Sequence, residues 1–555
     1  MSLNNIPLKI AIERDPVCAV SNLDKRYFGV VDGPAYVNYQ RYIASQVSNS
    51  SVSILSIPSS EQTIIDPKIY ASVSYQLTFA GTSVAGNLIQ LGTTDAPRAF
   101  PLSQSTSTLA ATLNGQTISM NISQIFDPFM RYEHNYKEIT DCEGMTPAYL
   151  DQCQAYSDLF GTNRNPLALF GDNTFADPRG GFSGVRIISN TPTSAVIELT
   201  IYEKIYLPLF HGNKHGLINV SNLNWQWTFR SPLANFVWSH DAVNGNNITS
   251  AVCNITAMSL YYRQCTPKVL SSIPKACIYP YYSVIPAITS YTAPVAPGAS
   301  VQLSMQALNL QAIPKMVYVY ARQQDSEQTY LTPNAYFRID NVNVTYMNAS
   351  GLLASAPTQE LYRIAHKNGF NGSWDQWNKY NGSVLCLKFG EDIGLSSLYS
   401  PSQLVSNQLS MVVSLTNLSA VTFSVINLFV QVVYEGTATI QNNGMNLNIN
   451  VLSNSDILNS QIDGAPVVEL KTAHNMYGGM NFGELTQKIG HLINTAVDTA
   501  KEAVDYAGPT VAKMLPLVGL GGKKRRGKGV SGGSYGGDVI SRSQLGDMMD
   551  QYSEY

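Results

Sequence analysis

The chain has 555 residues with 35 Lys and Arg against 38 Asp and Glu, a formal net charge of −3. That length predicts two domains of about 200 residues each plus extensions, and the near-neutral balance excludes a wholly basic nucleic-acid-binding body, so any such contact has to be local. Only 13% of positions are charged, while 32 Tyr, 18 Phe, 40 Gly and 27 Pro accompany frequent Ser, Thr, Asn and Val, a balance that favours strands and a surface covered by partners over exposed helices.

The seven cysteines, at positions 18, 142, 153, 253, 265, 277 and 386, form an odd set without a C-x-x-C, which predicts reduced and mostly buried thiols rather than a disulfide framework. The opening "MSLNNIPLKIAIERDP" lacks the apolar run of a signal peptide, and no stretch of about 18 uncharged apolar residues occurs. Ten N-x-S/T sequons, among them Asn49, Asn254 and Asn417, are therefore read as unused.

Residues 1–49 read as an N-terminal arm and 50–265 as a first β-sandwich. In "DPKIYASVSYQLTFAGT", Ile69, Ala71, Val73, Tyr75, Leu77 and Phe79 alternate with polar residues and Tyr70, so one face of a strand enters a core. Further strands are expected at 194–207, 222–231 and 250–263. His211 and His215 in "HGNKH" have the spacing of two metal ligands on a helix, but Gly212, Asn213 and Gly216 make the segment a loop, and no metal is expected.

Residues 266–298 carry six prolines and read as an extended linker with at most edge strands. A second sandwich follows over 299–445, with strands expected at 300–310, 315–323, 335–347, 382–390, 406–418 and 421–436. Trp374, Trp377 and Tyr380 in "NGSWDQWNKYNGS" could form a sugar-stacking platform; anchoring of a long loop is the favoured reading. The carboxylates in "EDIG" (391–394) define no pair at a catalytic distance, no G-x-S-x-G elbow occurs, and neither a catalytic residue nor a cofactor is expected.

Beyond a connecting segment at 446–480 the period changes. Phe482, Leu485, Ile489, Leu492, Ile493, Ala496, Val497, Ala500, Ala503, Val504 and Ala507 recur at spacings of three and four, predicting an amphipathic helix within 481–510. Its polar face is more acidic than basic, which favours docking on protein over lying on a membrane. The remaining 511–555 read as a flexible basic and Gly-rich tail, with Lys523, Lys524, Arg525, Arg526 and Lys528 as a candidate nucleic-acid or nuclear-import segment. "GLGGKK" lacks the spacing and the Ser or Thr of a phosphate-binding loop. The fold expected is thus all-β: two consecutive jelly-roll sandwiches with a C-terminal helix and tail.

"DAPRAFPLSQSTSTLAATLNGQTISMNISQI" (95–125), "LTPNAYFRIDNVNVTYMNASGLLASAPTQELYRIAHKNGFNGSWDQW" and "GSVLCLKFGEDIGL" together resemble the double jelly-roll major capsid proteins of virophages, Polinton-type elements and adenovirus-related DNA viruses, over roughly residues 50–440. The resemblance implies two jelly-rolls side by side, with Asn348 to Gly369 and Gly382 to Leu395 supplying loop and strand framework of the second. It also implies homotrimeric, pseudo-hexagonal capsomers in an icosahedral DNA-virus shell. Penton and minor capsid proteins would be neighbours, and the tail would make weak contact with genomic DNA or an internal membrane. Location would be the virion, after assembly in the host nucleus or cytoplasm.

The resemblance further implies a maturation protease of adenovirus type, which prefers Met, Leu or Ile, then any residue, then Gly. "MYGG" before Met480, with Met476, Gly478 and Gly479, fits one form of that site; Leu517, Gly519, Leu520 and Gly521 in "LVGLG" fit the other. Glycine suits both places because a backbone without Cβ can lie close against an enzyme subsite. Two other classes remain open at this level: a secreted or surface carbohydrate-binding sandwich or glycosidase, and a single-jelly-roll RNA-virus capsid, which would place its basic arm at the N-terminus.

Overall fold

The computed structural model describes residues 34–449, apart from 59–62, 85, 134–145, 149, 157–164, 166, 168–183, 212, 214, 267–274, 348, 396–402 and 442–443. The predicted helix at 481–510, the tail, all of the cleavage candidates and the basic segment lie outside the described residues.

Strands are numbered in chain order. In the first half one sheet runs β1 (Tyr36–Ile43), β12 (Asn247–Thr266), β4 (Tyr70–Thr82), β9 (Ser194–Lys204) and β8 (Val185–Asn190), with β3 (Ile64–Ile65) also on β12. The facing sheet runs β2 (Ser51–Ser56), β10 (Leu223–Phe229), β6 (Thr106–Leu113) and β7 (Gln116–Met120). A two-stranded ribbon pairs β5 (Asp95–Pro97) with β11 (Trp238–His240). The alternation expected for β4 holds: Ala71, Val73, Tyr75, Leu77 and Phe79 are all buried and contribute to one cluster with Trp225 and Trp227 of β10. Between β6 and β7 the two-residue loop Asn114-Gly115 has φ of 48° and 86°, the left-handed conformations that a tight hairpin requires.

In the second half one sheet runs β13 (Ala276–Tyr291), β21 (Ile426–Gln441), β16 (Met316–Gln323) and β19 (Leu385–Lys388), with β22 (Gly444–Asn448) on β21. The other runs β14 (Ser300–Ser304), β20 (Leu404–Thr416), β17 (Arg338–Tyr346) and β18 (Ala349–Leu352), with β15 (Leu308–Ala312) on β20. Every pairing between named strands is antiparallel. The Pro-rich segment read as a linker is in large part a 16-residue edge strand: β13 keeps register with β21 along its whole length, Pro280 opposite Thr437 and Pro286 opposite Gln431. The two prolines are six residues apart, so their nitrogens face the same side of the strand, and an edge strand has no donor to supply on its outer side.

Each sandwich has its own core, yet the cores exchange residues. Tyr132 from the first half packs in the second cluster, while Tyr279, Ala438 and Ile440 from the second half pack in the first. Among the described residues no helix is long and apolar enough to cross a membrane. The described cysteines, 153, 253, 265, 277 and 386, are free thiols, and burial pushes Cys153 and Cys386 up to about 12.

Candidate functional site: the seam between the sandwiches

The most elaborate polar chemistry lies between the two halves. It is built on the helix Ile122–Met130, the residues after it, and the ends of strands near the β5–β11 ribbon. Four arginines reach into this seam, each at most 6% exposed: Arg98, Arg131, Arg230 and Arg322. A buried guanidinium has five N–H donors to satisfy, and here backbone carbonyls of the opposite half accept many of them.

Arg98 donates through Nε to Trp238 O at 2.9 Å, and through Nη2 across the seam to Thr332 O at 3.0 Å and to Thr329 O. Burial pulls its pKa down to about 10, against the opposing charges of Asp151 and Asp127, so it stays cationic at neutral pH. Arg131 donates to Gly382 O at 2.7 Å and Asn381 O at 2.8 Å, and its guanidinium carbon stands 4.2 Å from the ring centre of Tyr336. The next residue, Tyr132, donates to Val384 O at 2.6 Å and accepts from the amide of Cys386 at 3.0 Å. Asn381 donates back to Asp151 O at 3.0 Å, and Cys153 N–H donates to Tyr380 O at 2.8 Å.

Asp127 is the hub of a second group. It accepts from Gln104 at 2.6 Å and from Asn334 at 3.0 Å, while Asn334 also donates to Gln104 Oε1 at 2.8 Å. Arg322 donates to Asn334 Oδ1 and to Ser123 O, both at 3.2 Å. Asp325 lies 3.0 Å from both Arg322 and Arg230, the latter also donating to Gln104 O at 3.1 Å. Burial draws Arg230 down to about 9, with Asp325 opposing. Some of these partners are close in sequence, as Arg322 and Asp325 are, but none bonds only within its own sandwich. The two halves are therefore held as one block, and sliding one past the other would strand buried charged donors.

The residues singled out for chemistry have structural partners. His211 Nε2 is 2.8 Å from Glu133 Oε2, and among the described residues no group of three or more His, Cys, Asp or Glu could hold a metal ion. In "EDIG", Asp392 accepts from the amide of Lys388 at 2.9 Å and from Asn368 at 2.6 Å, and Glu391 pairs with Lys367 at 3.2 Å. Trp377 is fully buried and Trp374 half-buried, stacked 6.1 Å apart with the Tyr362 ring edge-on to both. They anchor the loop on the second core rather than presenting a platform. The Asn417 side chain is buried and donates to Val295 O at 3.0 Å and Val421 O at 2.9 Å, which removes it as a glycan acceptor.

Two antiparallel sandwiches in series, joined rigidly along one side, define the double jelly-roll class of viral major capsid proteins. Comparison with known proteins places the chain within it. The family described as "Sputnik virophage major capsid protein 1st domain" matches residues 9–272, and "Major capsid protein V20 C-terminal domain" matches 285–381. Capsid protein V20 of the Sputnik virophage is 29% identical over 98% of this chain and 99% of its own length. A chain of the 3.5 Å cryo-EM structure of the Sputnik virophage superposes with a TM-score of 0.73 at 29% identity, covering 86% of this chain and all of that one. The mavirus major capsid protein shares the fold alone, with a TM-score of 0.66 at 12% identity over 82% of this chain and 99% of its own. By both family models, by the relative and by the solved structure, the chain is similar to the major capsid proteins of virophages, a structural family and not an enzyme family.

Sequence reasoning did not find the seam. Arg98 and Arg131 carry no local motif, and a lone arginine in a loop looks the same whether it meets solvent or a carbonyl of a distant strand. The phrase "DAPRAF" holds both Asp95 and Arg98, and it was informative only as part of the family resemblance.

Proposed function

We infer that three copies of this chain form a pseudo-hexagonal capsomer, and that capsomers tile an icosahedral shell around double-stranded DNA. The observation that carries this reading is the rigid seam: six-fold-like tiling by three chains requires each chain to present two sandwiches in a fixed relation. The surface supports it. The β1 edge strand leaves Tyr36 and Tyr39 each 76% exposed along with Val37 and Ile43, and the β13 edge leaves Ile278, Ile285 and Ile288 exposed, apolar area of the kind that subunit contacts cover.

Penton and minor capsid proteins would complete the shell at its vertices and between capsomers. The C-terminal residues would lie inside, where the helix predicted at 481–510 docks on protein and the basic run touches genomic DNA or an internal membrane, until a maturation protease removes the tail. Assembly would take place in the host nucleus or cytoplasm and the product would reside in the virion. Size-exclusion chromatography with light scattering tests the central step: the expected species is a trimer of 60.6 kDa subunits. A strict monomer at all concentrations, with no hexagonal tiles by electron microscopy, would overturn it.

A further inference from the structure

On the seam, a cavity of about 230 Å³ opens between the helix Ile122–Met130 and strands β13, β16 and β21. Its walls are unusually aromatic: Phe129, Tyr132, Tyr281, Tyr282 and Tyr318 all line it, with Phe129 5.0 Å from the Tyr318 ring and 6.0 Å from that of Tyr282. Two carboxylates line the same space at different depths, the Glu133 side chain 18% exposed and that of Glu435 46% exposed.

Two buried polar atoms here have no hydrogen-bond partner, Tyr282 Oη and His211 Nδ1. Buried polar atoms are almost always satisfied, so a pair of orphans lining one cavity calls for something to meet them. Their chemistry is specific. His211 Nε2 lies 2.8 Å from Glu133 Oε2, and in the tautomer that donates Nε2–H to that carboxylate Nδ1 is a lone pair facing no partner. Tyr282 is held neutral, its pKa raised by burial and by the nearby Glu133 charge, and its oxygen also accepts. The cavity thus offers two unused acceptors, a carboxylate nearby and several π faces. Lys315, already paired with Glu435 at the shallower end, shows that an ammonium is stable there.

We propose that this cavity is a binding site for an organic ammonium, specifically a linear aliphatic diamine, with one ammonium on Tyr282 and His211 and the other competing with Lys315 for Glu435. The –NH₃⁺ group has three donors and no acceptor, which matches the orphan atoms, and its charge is attracted by ring faces. Methylenes between the two ends would lie against Phe129 and Met316. An anionic head would instead meet two carboxylates, and a plain hydrocarbon would leave both orphans unmet.

The test uses full-length, DNA-free protein and putrescine as probe, read by isothermal titration at constant ionic strength, with ethanolamine and sodium chloride as controls. Saturable binding of one putrescine per chain is expected, weaker by about five- to tenfold in Tyr282→Phe, which keeps the ring and loses the oxygen. Lys315→Ala, at a half-exposed position where folding is not at stake, should tighten binding by about threefold or more because it frees Glu435. That gain separates a cation site from a merely structural role. Heat that tracks ionic strength alone, or Lys315→Ala binding more weakly than the parent, would overturn the proposal.

Discussion

The guanidinium carbon of Arg131 stands over the ring of Tyr336, 4.2 Å from its centre, while both of its terminal nitrogens donate to successive carbonyls of the loop that follows Trp377. One side chain from the first half thereby fixes a strand end and a loop of the second. Arg131→Ala should cost about 3 to 5 kcal/mol, since it removes two charge-assisted hydrogen bonds, a desolvated cation–π contact and the packing between them. Arg131→Lys should recover only part of that, because an ammonium cannot fork to two carbonyls while stacking on a ring. Chemical denaturation followed by tryptophan fluorescence should show one transition in the parent protein and two in Arg131→Ala, as the halves lose their coupling. A single transition with an unshifted midpoint would mean that the seam is not held here.

Gly382 is the other side of that contact. Its φ is 72°, and a Cβ placed on it would lie 2.2 Å from Tyr336 O, so both conformation and space demand glycine. Gly382→Ala should therefore destabilise by about 3 kcal/mol, combining left-handed strain with a backbone clash that cannot relax without moving β17. Gly390 supplies the comparison. It has φ of 88°, but the nearest atom to its Cβ would be Leu395 Cδ1 at 3.7 Å. Gly390→Ala should thus cost only the conformational part, about 1 kcal/mol. Equal losses in the two variants, measured by thermal melting, would show that the Tyr336 contact is not what selects glycine at 382.

His240 has both ring nitrogens on acceptors: Nδ1 is 2.8 Å from Asp95 Oδ1 and Nε2 is 2.8 Å from Asn246 O. Only the imidazolium donates to both. Burial disfavours that charge, but the Asp95 hydrogen bond and charge, the Asn246 carbonyl and the Asp241 charge outweigh it, and the pKa is raised above 6.5. A group whose folded pKa is raised contributes stability that is fully present below the unfolded value and lost as pH climbs through the folded one. The melting temperature of the parent should therefore exceed that of His240→Gln by most near about pH 5.5, and the gap should narrow toward about pH 9. The backbone amide of His240 also donates across the seam to Tyr330 O at 2.8 Å, so the loop it grips is tied to the second half. A gap that is constant with pH would assign His240 a packing role only.

The strands were readable because their information is local. Alternation at 69–79 and the apolar runs at 315–323 and 421–436 correspond to β4, β16 and β21, and the segment 300–310 resolves into β14 and the start of β15 on the same neighbour, β20. β13 was harder to read, because six prolines in the 33 residues 266–298 look like a linker unless the strand is known to be an edge. β1 was not legible at all: its residues are exposed or half-buried on both faces, so no alternation marks it. The seam and the cavity depend on residues as distant as 98 and 332, or 133 and 435, and no pattern within one segment carries that juxtaposition.

The C-terminal residues hold the last expectation. Cleavage after Gly479 or after Leu520 would follow from the two protease-like phrases around Met476 and Leu517, and the second cut would release Lys523 to Lys528 with the peptide. DNA contact by that run would then belong to the precursor and end at maturation, a sequence that lets a weak tether gather genome without holding it. The precursor's DNA affinity should fall with salt on a log–log slope no steeper than about −4.5, five cations at about 0.9 each, and the product trimmed at Leu520 should lose that dependence. Intact mass measurement of subunits from mature particles should give C-termini at Gly479 or Leu520, and Gly478→Val with Gly519→Val should leave the chain at full length. If every subunit from infectious particles ends at Tyr555, the tail is a permanent part of the shell and its basic run has to act there.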